Sequence, residues 1–129
     1  SNQILDKAKD GRFTQLEVNR GLPAPLLLKY FEKQGLEWQI KPAMRSSIEF
    51  RHLNLIADWP PMPKLDIILL RNVLIYFDVP TKRAILGKVR ECINTDGYLF
   101  LGAAEMPMSI DNAFARVDYN KSGCYRMKS

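Results

Sequence analysis

Arg71 and Asn72 directly follow Leu65-Asp66-Ile67-Ile68-Leu69-Leu70, a nearly continuous branched apolar run of strand length. A guanidinium at the mouth of such a strand needs a partner, and a carboxylate is a good bidentate one. That partner is either a protein carboxylate, with Asn72 capping the next turn, or the carboxylate of a ligand. In open α/β sheets ligands lie beyond the carboxyl ends of the strands, which makes this pair the first candidate. Asn54-Leu55 is the second, just after an expected strand that ends near His52. A plain turn is the alternative there, because Asn tolerates unusual dihedrals. Gly102-Ala103-Ala104-Glu105 is the third: small residues after a strand allow close backbone approach, while Glu105 reads equally as a solvated loop carboxylate. Tyr76, taken alone, reads as a core residue. His52 is the only histidine, so mechanisms built on a His base or a His-ligated metal are dropped. Cys92 and Cys124 form no CxxC pair, and the sequence holds no GxGxxG or P-loop.

The elements that must position these residues follow from periodicity and breakers. A helix over residues 4–10 stops at Gly11, and a second, over 23–34, opens on Pro23-Ala24-Pro25 and stops at Gly35. Alternation at Trp38, Ile40, Ile48 and Phe50 predicts two short strands, 37–41 and 47–52. Pro60, Pro61 and Pro63 make 58–63 a loop. The run 65–70 reads as a central strand buried on both faces of a parallel sheet. A helix over 79–93 turns Ile85, Leu86 and Val89 inward and Lys82, Arg83, Lys88 and Arg90 outward. Asn94-Thr95-Asp96-Gly97 breaks it before a strand over 98–102, giving a parallel crossover. The tail reads as an antiparallel hairpin, 116–120 and 123–127, around Lys121-Ser122. The fold class expected is α/β, a mostly parallel sheet with an antiparallel end.

Composition bounds the function. At 129 residues with 47% apolar and 26% charged, one soluble globular domain is expected. The net charge of +5 is not gathered into a basic run or an aromatic-basic platform, so nucleic acid is not the expected partner. No apolar stretch approaches the roughly 18 residues that span a bilayer, so no membrane insertion and a cytoplasmic location are expected.

Three blocks, Asn54-Leu55, the run from Leu65 through Arg71-Asn72 and Tyr76 to Asp78, and Asp96-Gly97-Tyr98 through Glu105, together resemble the CheR family. These are the chemotaxis receptor protein-glutamate methyltransferases, which use S-adenosylmethionine. Gly11-Arg12-Phe13, Glu17, Asn19-Arg20-Gly21-Leu22-Pro23 and Lys29-Tyr30-Phe31 resemble the same family in the same order, so the likeness covers nearly the whole chain. The resemblance implies a partial Rossmann-like class I methyltransferase sheet carrying a small antiparallel β insertion at 37–52. It also implies methyl transfer to glutamate carboxylates in the cytoplasmic region of chemotaxis receptors, with S-adenosylhomocysteine as the product.

Residue by residue, Asn54 and Leu55 match the pair that lies beside the cofactor's adenine end in the family. Leu70 and Arg71 match positions lining the pocket toward its methionine and sulfonium end, with Asn72 adjacent. Tyr76 matches a tyrosine near the transferring methyl, which makes Arg71 and Tyr76 the catalytic candidates. The strands at 37–52 match the subdomain through which some members dock a receptor's C-terminal peptide. The family's Gly-Cys-Ser/Thr-Gly-Glu-Glu cofactor loop, the acidic residue after its second strand and its N-terminal helical domain are not in this sequence. Ala103-Ala104 stand where members often carry His-Ser, so no role passes to them. The chain therefore resembles the C-terminal portion of the catalytic domain. It is expected to be inactive alone and to self-associate through a hydrophobic sheet edge beside 65–70. The alternative from another class is a non-catalytic module that docks a receptor C-terminal peptide by strand addition.

Overall fold

The computed structural model describes residues 2–103, 105–107, 110–119 and 122–128. They divide into two compact units, Ser1–Leu53 and Asn54–Ser129.

In the first unit, helix α1 (Asn2–Asp10) ends at Gly11, whose φ of 64° lets its N–H reach the Lys7 carbonyl at 3.1 Å. Strand β1 (Arg12–Thr14) leads into the short helix α2 (Gln15–Asn19), which a reciprocal capping box starts. The Glu17 N–H donates to Thr14 Oγ1 at 3.2 Å, and the Thr14 N–H donates to Glu17 Oε1 at 3.0 Å. Helix α3 (Ala24–Tyr30) is shorter than the helical spacing suggests, because strand β2 (Phe31–Gln34) peels off to pair with β3 (Glu37–Ile40). Gly35, at φ 64°, turns the chain between them, so hairpin hydrogen bonds override an apolar pattern that fits a helix as well.

The three strands form an antiparallel sheet in the order β1-β3-β2. The antiparallel subdomain expected at 37–52 thus draws on 12–14 and 31–34 instead. No strand forms at 47–52. Helix α4 (Pro42–Arg45) stands before it, and local bonds occupy the groups a ladder would use: the Ser47 N–H donates to the Met44 carbonyl at 3.2 Å and the Ile48 N–H to the Arg45 carbonyl at 3.1 Å.

The second unit is α/β. Strand β4 (Leu65–Leu70) is followed by a one-turn 3-10 helix (Leu74–Tyr76), helix α5 (Val79–Cys92), and strands β5 (Ile93–Leu101), β6 (Phe114–Val117) and β7 (Gly123–Met127). Asp78 caps α5, its Oδ1 accepting the Thr81 N–H at 2.9 Å, and Pro80 occupies the first turn, where its missing N–H costs nothing. The sheet order is β4-β5-β7-β6.

Two expectations are corrected here. Only β4 and β5 run parallel while β5-β7 and β7-β6 are antiparallel, so the sheet is mixed and not mostly parallel. Strand β4 lies at the edge of the sheet and not at its centre. With one neighbour and one covered face, it leaves Ile67 61% and Leu69 70% exposed. A run of branched apolar residues predicts burial on both faces only where other elements supply them.

The core gathers Ile85, Leu86 and Val89 of α5 with Leu99, Leu101, Phe114 and Tyr125 of the sheet, all 2% exposed or less. Each such aliphatic side chain contributes about 1.5–3 kcal/mol by leaving water. The polar segment 94–97 is absorbed as the irregular opening of β5, where the register jumps from Leu65↔Ile93 to Ile67↔Tyr98. Gly97 permits this: a Cβ there would sit 2.8 Å from Ile93 Cγ1 and 3.0 Å from the Asp66 carbonyl. The predicted terminal hairpin is present, with its first strand at 114–117; Asn120 and Lys121 lie outside the described residues. Among the described residues no helix is long and apolar enough to cross a membrane.

Candidate functional site

The parallel strands β4 and β5 deliver their carboxyl ends side by side, with Leu70 opposite Leu101. Beyond Leu70 the chain turns sharply at Asn72, which has a φ of 58°. Asn is among the few side-chain-bearing residues that accept this left-handed region readily. One carboxylate oxygen holds both strand ends. Glu105 Oε1 accepts the Asn72 N–H at 2.7 Å and the Gly102 N–H at 2.8 Å. The Glu105 N–H closes back on the Gly102 carbonyl at 3.0 Å, and Tyr125 Oη donates to the Glu105 carbonyl at 3.2 Å.

Glu105 is 5% exposed, and its second oxygen, Oε2, has no hydrogen-bond partner among the described residues. It is therefore a buried strut and not a solvated loop carboxylate. Gly102 makes the close approach possible, since a Cβ there would overlap the Asn72 side-chain amide and sit 2.8 Å from Glu105 Oε1. The sequence signal was a glycine ending a strand with an acid three residues on.

The segment after β4 sorts its side chains into two sets. Leu70 and Leu74 are buried in the core, and Val73 and Phe77 pack against it. Arg71, Asn72, Ile75 and Tyr76 face outward. Arg71 makes no ion pair or hydrogen bond among the described residues, and the 3-10 turn has no side-chain cap, so neither structural role weighed for Arg71 and Asn72 is filled. Tyr76 is 79% exposed and does not belong to the core. A pocket of about 310 Å³ beside this segment is lined by Leu74, Ile75, Val79, Lys82, Glu105 and Met106, together with Ile110.

Asn54 and Leu55 lie elsewhere in the second unit. Asn54 Oδ1 accepts the Ile56 N–H at 3.2 Å, which is the plain Asx turn. Leu55 packs partly against the core, and its carbonyl accepts from Trp59 and Lys88. No hydrogen bond joins this turn to Arg71–Tyr76 among the described residues. Cys92 and Cys124 are free and buried, and desolvation pushes both thiols above their ordinary pKa, so neither is a ready nucleophile.

Against known proteins, the family model described as CheR methyltransferase, SAM binding domain, matches residues 1–122. The chain belongs to the CheR methyltransferase family. It is similar to chemotaxis protein methyltransferase 1 of Pseudomonas aeruginosa, at 39% identity over 129 residues covering 99% of this chain and 47% of that protein. A chemotaxis protein methyltransferase of Pseudomonas putida is 36% identical with the same coverage, and one of Vibrio anguillarum is 34% identical. This chain thus spans about half the length of these relatives. S-adenosylmethionine is the methyl donor that belongs to this CheR domain. The residues present fit one side of such a group. Outward-facing Arg71 and Asn72 follow β4, whose carboxyl end lies beside that of β5, and Gly102, lacking a Cβ, leaves the room that the Asn72 side chain occupies there.

Proposed function

We propose that this chain is the C-terminal portion of a methyltransferase domain, and that the intact protein methylates glutamate carboxylates of chemotaxis receptors in the cytoplasm. The observation that carries the reading is the outward-facing Arg71-Asn72 pair beyond the adjacent carboxyl ends of β4 and β5, with its side chains engaged by no partner among the described residues. The sheet is read as the distal half of a Rossmann-like class I arrangement, with β4 at the edge where the remaining strands of the family fold pair. Alone, the chain holds part of a cofactor site and is expected to be inactive.

In this reading Leu70, Arg71 and Asn72 form the wall toward the cofactor's methionine end, and Asn54 and Leu55 the wall beside its adenine. Bound S-adenosylmethionine supplies an electrophilic methyl group on a sulfonium. The receiving carboxylate, with an ordinary pKa of about 4.3, is ionised near neutral pH, so no general base is required. That suits a sequence with a single histidine. What the protein contributes is alignment and exclusion of water, which together supply several kcal/mol. Arg71 offers a guanidinium fork to the carboxylate of the cofactor or of the substrate. Tyr76 offers an electron-rich ring face to a cation.

Calorimetric titration with S-adenosylhomocysteine, run on this chain and on the longer protein, tests the reading. Binding by the longer protein, weakened at least tenfold by Arg71→Ala and unchanged by Lys128→Ala, is the expected result. Equal affinity in the two variants removes Arg71 from the site.

A second reading rests on a different observation. Strand β2 is an edge of the three-stranded sheet, and Glu32, Lys33 and Gln34 are exposed along it. A receptor C-terminal peptide adding there as a strand gives a docking module. Capture of such a peptide by a protein that does not bind S-adenosylhomocysteine favours this reading over the first.

A further inference from the structure

Lys88 projects from α5 toward a turn 31 to 33 residues earlier in the chain. Its Nζ donates to the Leu55 carbonyl at 3.2 Å and to the Ala57 carbonyl, and lies 5.9 Å from the centroid of the Trp59 ring. Trp59 Nε1 donates to the same Leu55 oxygen at 3.1 Å. Within the turn, Asn54 Oδ1 accepts the Ile56 N–H, and the Asn54 carbonyl accepts the Ala57 N–H, each at 3.2 Å. The carbonyls of Asn54, Leu55 and Ala57 are therefore all engaged.

This turn belongs to no helix or strand, so nothing in a backbone ladder fixes it. Besides the packing of Leu55 against the core, its side-chain hydrogen bonds from outside the turn come, among the described residues, from the Lys88 ammonium and the Trp59 indole. An ammonium is well suited to this role, because three donors on a flexible stem satisfy two converging carbonyls and still leave it resting against an aromatic face. Periodicity places Lys88 on the outward face of the helix as an ordinary solvated lysine. The structure instead leaves it half-buried and bound to backbone.

We propose that Lys88 is a positioning residue for the adenine end of the cofactor site, acting with Trp59 to hold the Asn54–Leu55 turn in its binding shape. The inference rests on the reading that Asn54 and Leu55 lie beside the adenine. Lys88 itself touches neither cofactor nor substrate.

The test uses the full-length protein and measures affinity for S-adenosylhomocysteine and for adenosine, with KM for S-adenosylmethionine and kcat. Lys88→Ala is expected to weaken both ligands by the same factor, about tenfold, and to raise the KM with kcat little changed. Lys88→Arg, which keeps a cation and several donors, is expected to recover most of the loss. The indole N–H resonance of Trp59 should shift in Lys88→Ala without any ligand. Asn54→Ala separates the adenine-end reading from the positioning role. If Asn54→Ala binds both ligands normally, the adenine-end reading fails. If Asn54→Ala weakens them while folded Lys88→Ala binds like the unsubstituted protein, the positioning role fails. Should Lys88→Ala not fold, Lys88→Gln, which keeps most of the stem, decides by the same comparison.

Discussion

Glu105 Oε1 lies 2.7 Å from the Asn72 nitrogen, a hydrogen bond spanning 33 residues that fixes the point where β4 gives way to Arg71 and Tyr76. The same oxygen takes the Gly102 N–H, so truncating this side chain orphans two donors at once. Leaving a buried donor unsatisfied costs about 1–3 kcal/mol. Glu105→Ala is therefore expected to destabilise the second unit by about 2–6 kcal/mol, two donors at the per-donor cost of an unmet hydrogen bond. Glu105→Gln, which retains an acceptor oxygen, should cost less. Denaturant unfolding measures the difference, and faster amide exchange at Asn72 and Gly102 in Glu105→Ala locates it. Unchanged exchange at both amides contradicts the strut.

Gly102 has an ordinary φ, so its role is space and not dihedral freedom. An alanine methyl would meet Glu105 Oε1 at 2.8 Å and overlap the Asn72 amide. Gly102→Ala must push one of them aside, and overpacking of this kind costs about 1–3 kcal/mol. In the longer protein the displacement is also expected to weaken S-adenosylhomocysteine binding, because the part that moves adjoins Arg71. A loss of stability with affinity unchanged would detach Gly102 from the site.

The sequence was most legible where one element is decided locally. The stop at Gly11, the helix beginning at Val79 and the β6-β7 hairpin each follow from a breaker, apolar spacing or a turn within a few residues. Where one local pattern is compatible with two backbone pairings, it misleads. Phe31–Gln34 carries helical spacing yet joins Glu37–Ile40, and Ser47 and Ile48 sit in an alternating run whose backbone bonds are taken locally. The position of β4 was legible only in part, because its composition records two buried faces while this chain supplies neighbours for one. At the site, the outward-facing side chains of Arg71 and Asn72 lie in the run of residues the sequence marks. Glu105 also read as a solvated loop carboxylate and Lys88 as an outward lysine, since each makes a bond to backbone 33 residues away in the chain.

Glu17 gives the first unit an acid limb. Its carboxyl is held at about 2, below the ordinary 4.5, first by the hydrogen bond from the Lys7 ammonium and then by the Thr14 N–H. A carboxyl whose pKa is lower folded than unfolded contributes stability above its unfolded pKa and loses it as the pH falls through the folded one. Stability of this unit is expected to decline between pH 4.5 and about 2. Glu17→Gln should flatten that part of the profile, and high salt should reduce it, because the pair is solvent-exposed and screened. Amide exchange of α1 and α2 across the pH range checks this; an acid limb unchanged in Glu17→Gln breaks the link.

Strand β4 bonds to β5 along one side, and its other side meets no strand among the described residues. Ile67 and Leu69, two residues apart, present a single exposed apolar face, 61% and 70% accessible. That face continues into a pocket of about 300 Å³ lined by Ile67, Tyr98, Phe100, Val117, Tyr119 and Cys124. An open strand edge beside an uncovered apolar face is a template for association, and natural sheets blunt such edges with charge or cover them. None of Ile67, Ile68, Leu69 and Leu70 carries a charge. The isolated chain is therefore expected to associate increasingly with concentration by light scattering. Ile67→Lys and Leu69→Lys should each shift it toward monomer without unfolding it, since both side chains already face solvent. In the longer protein, where the proposed fold covers this edge, the same substitutions should instead destabilise. A clean monomer of the isolated chain at high concentration contradicts the exposed-edge account.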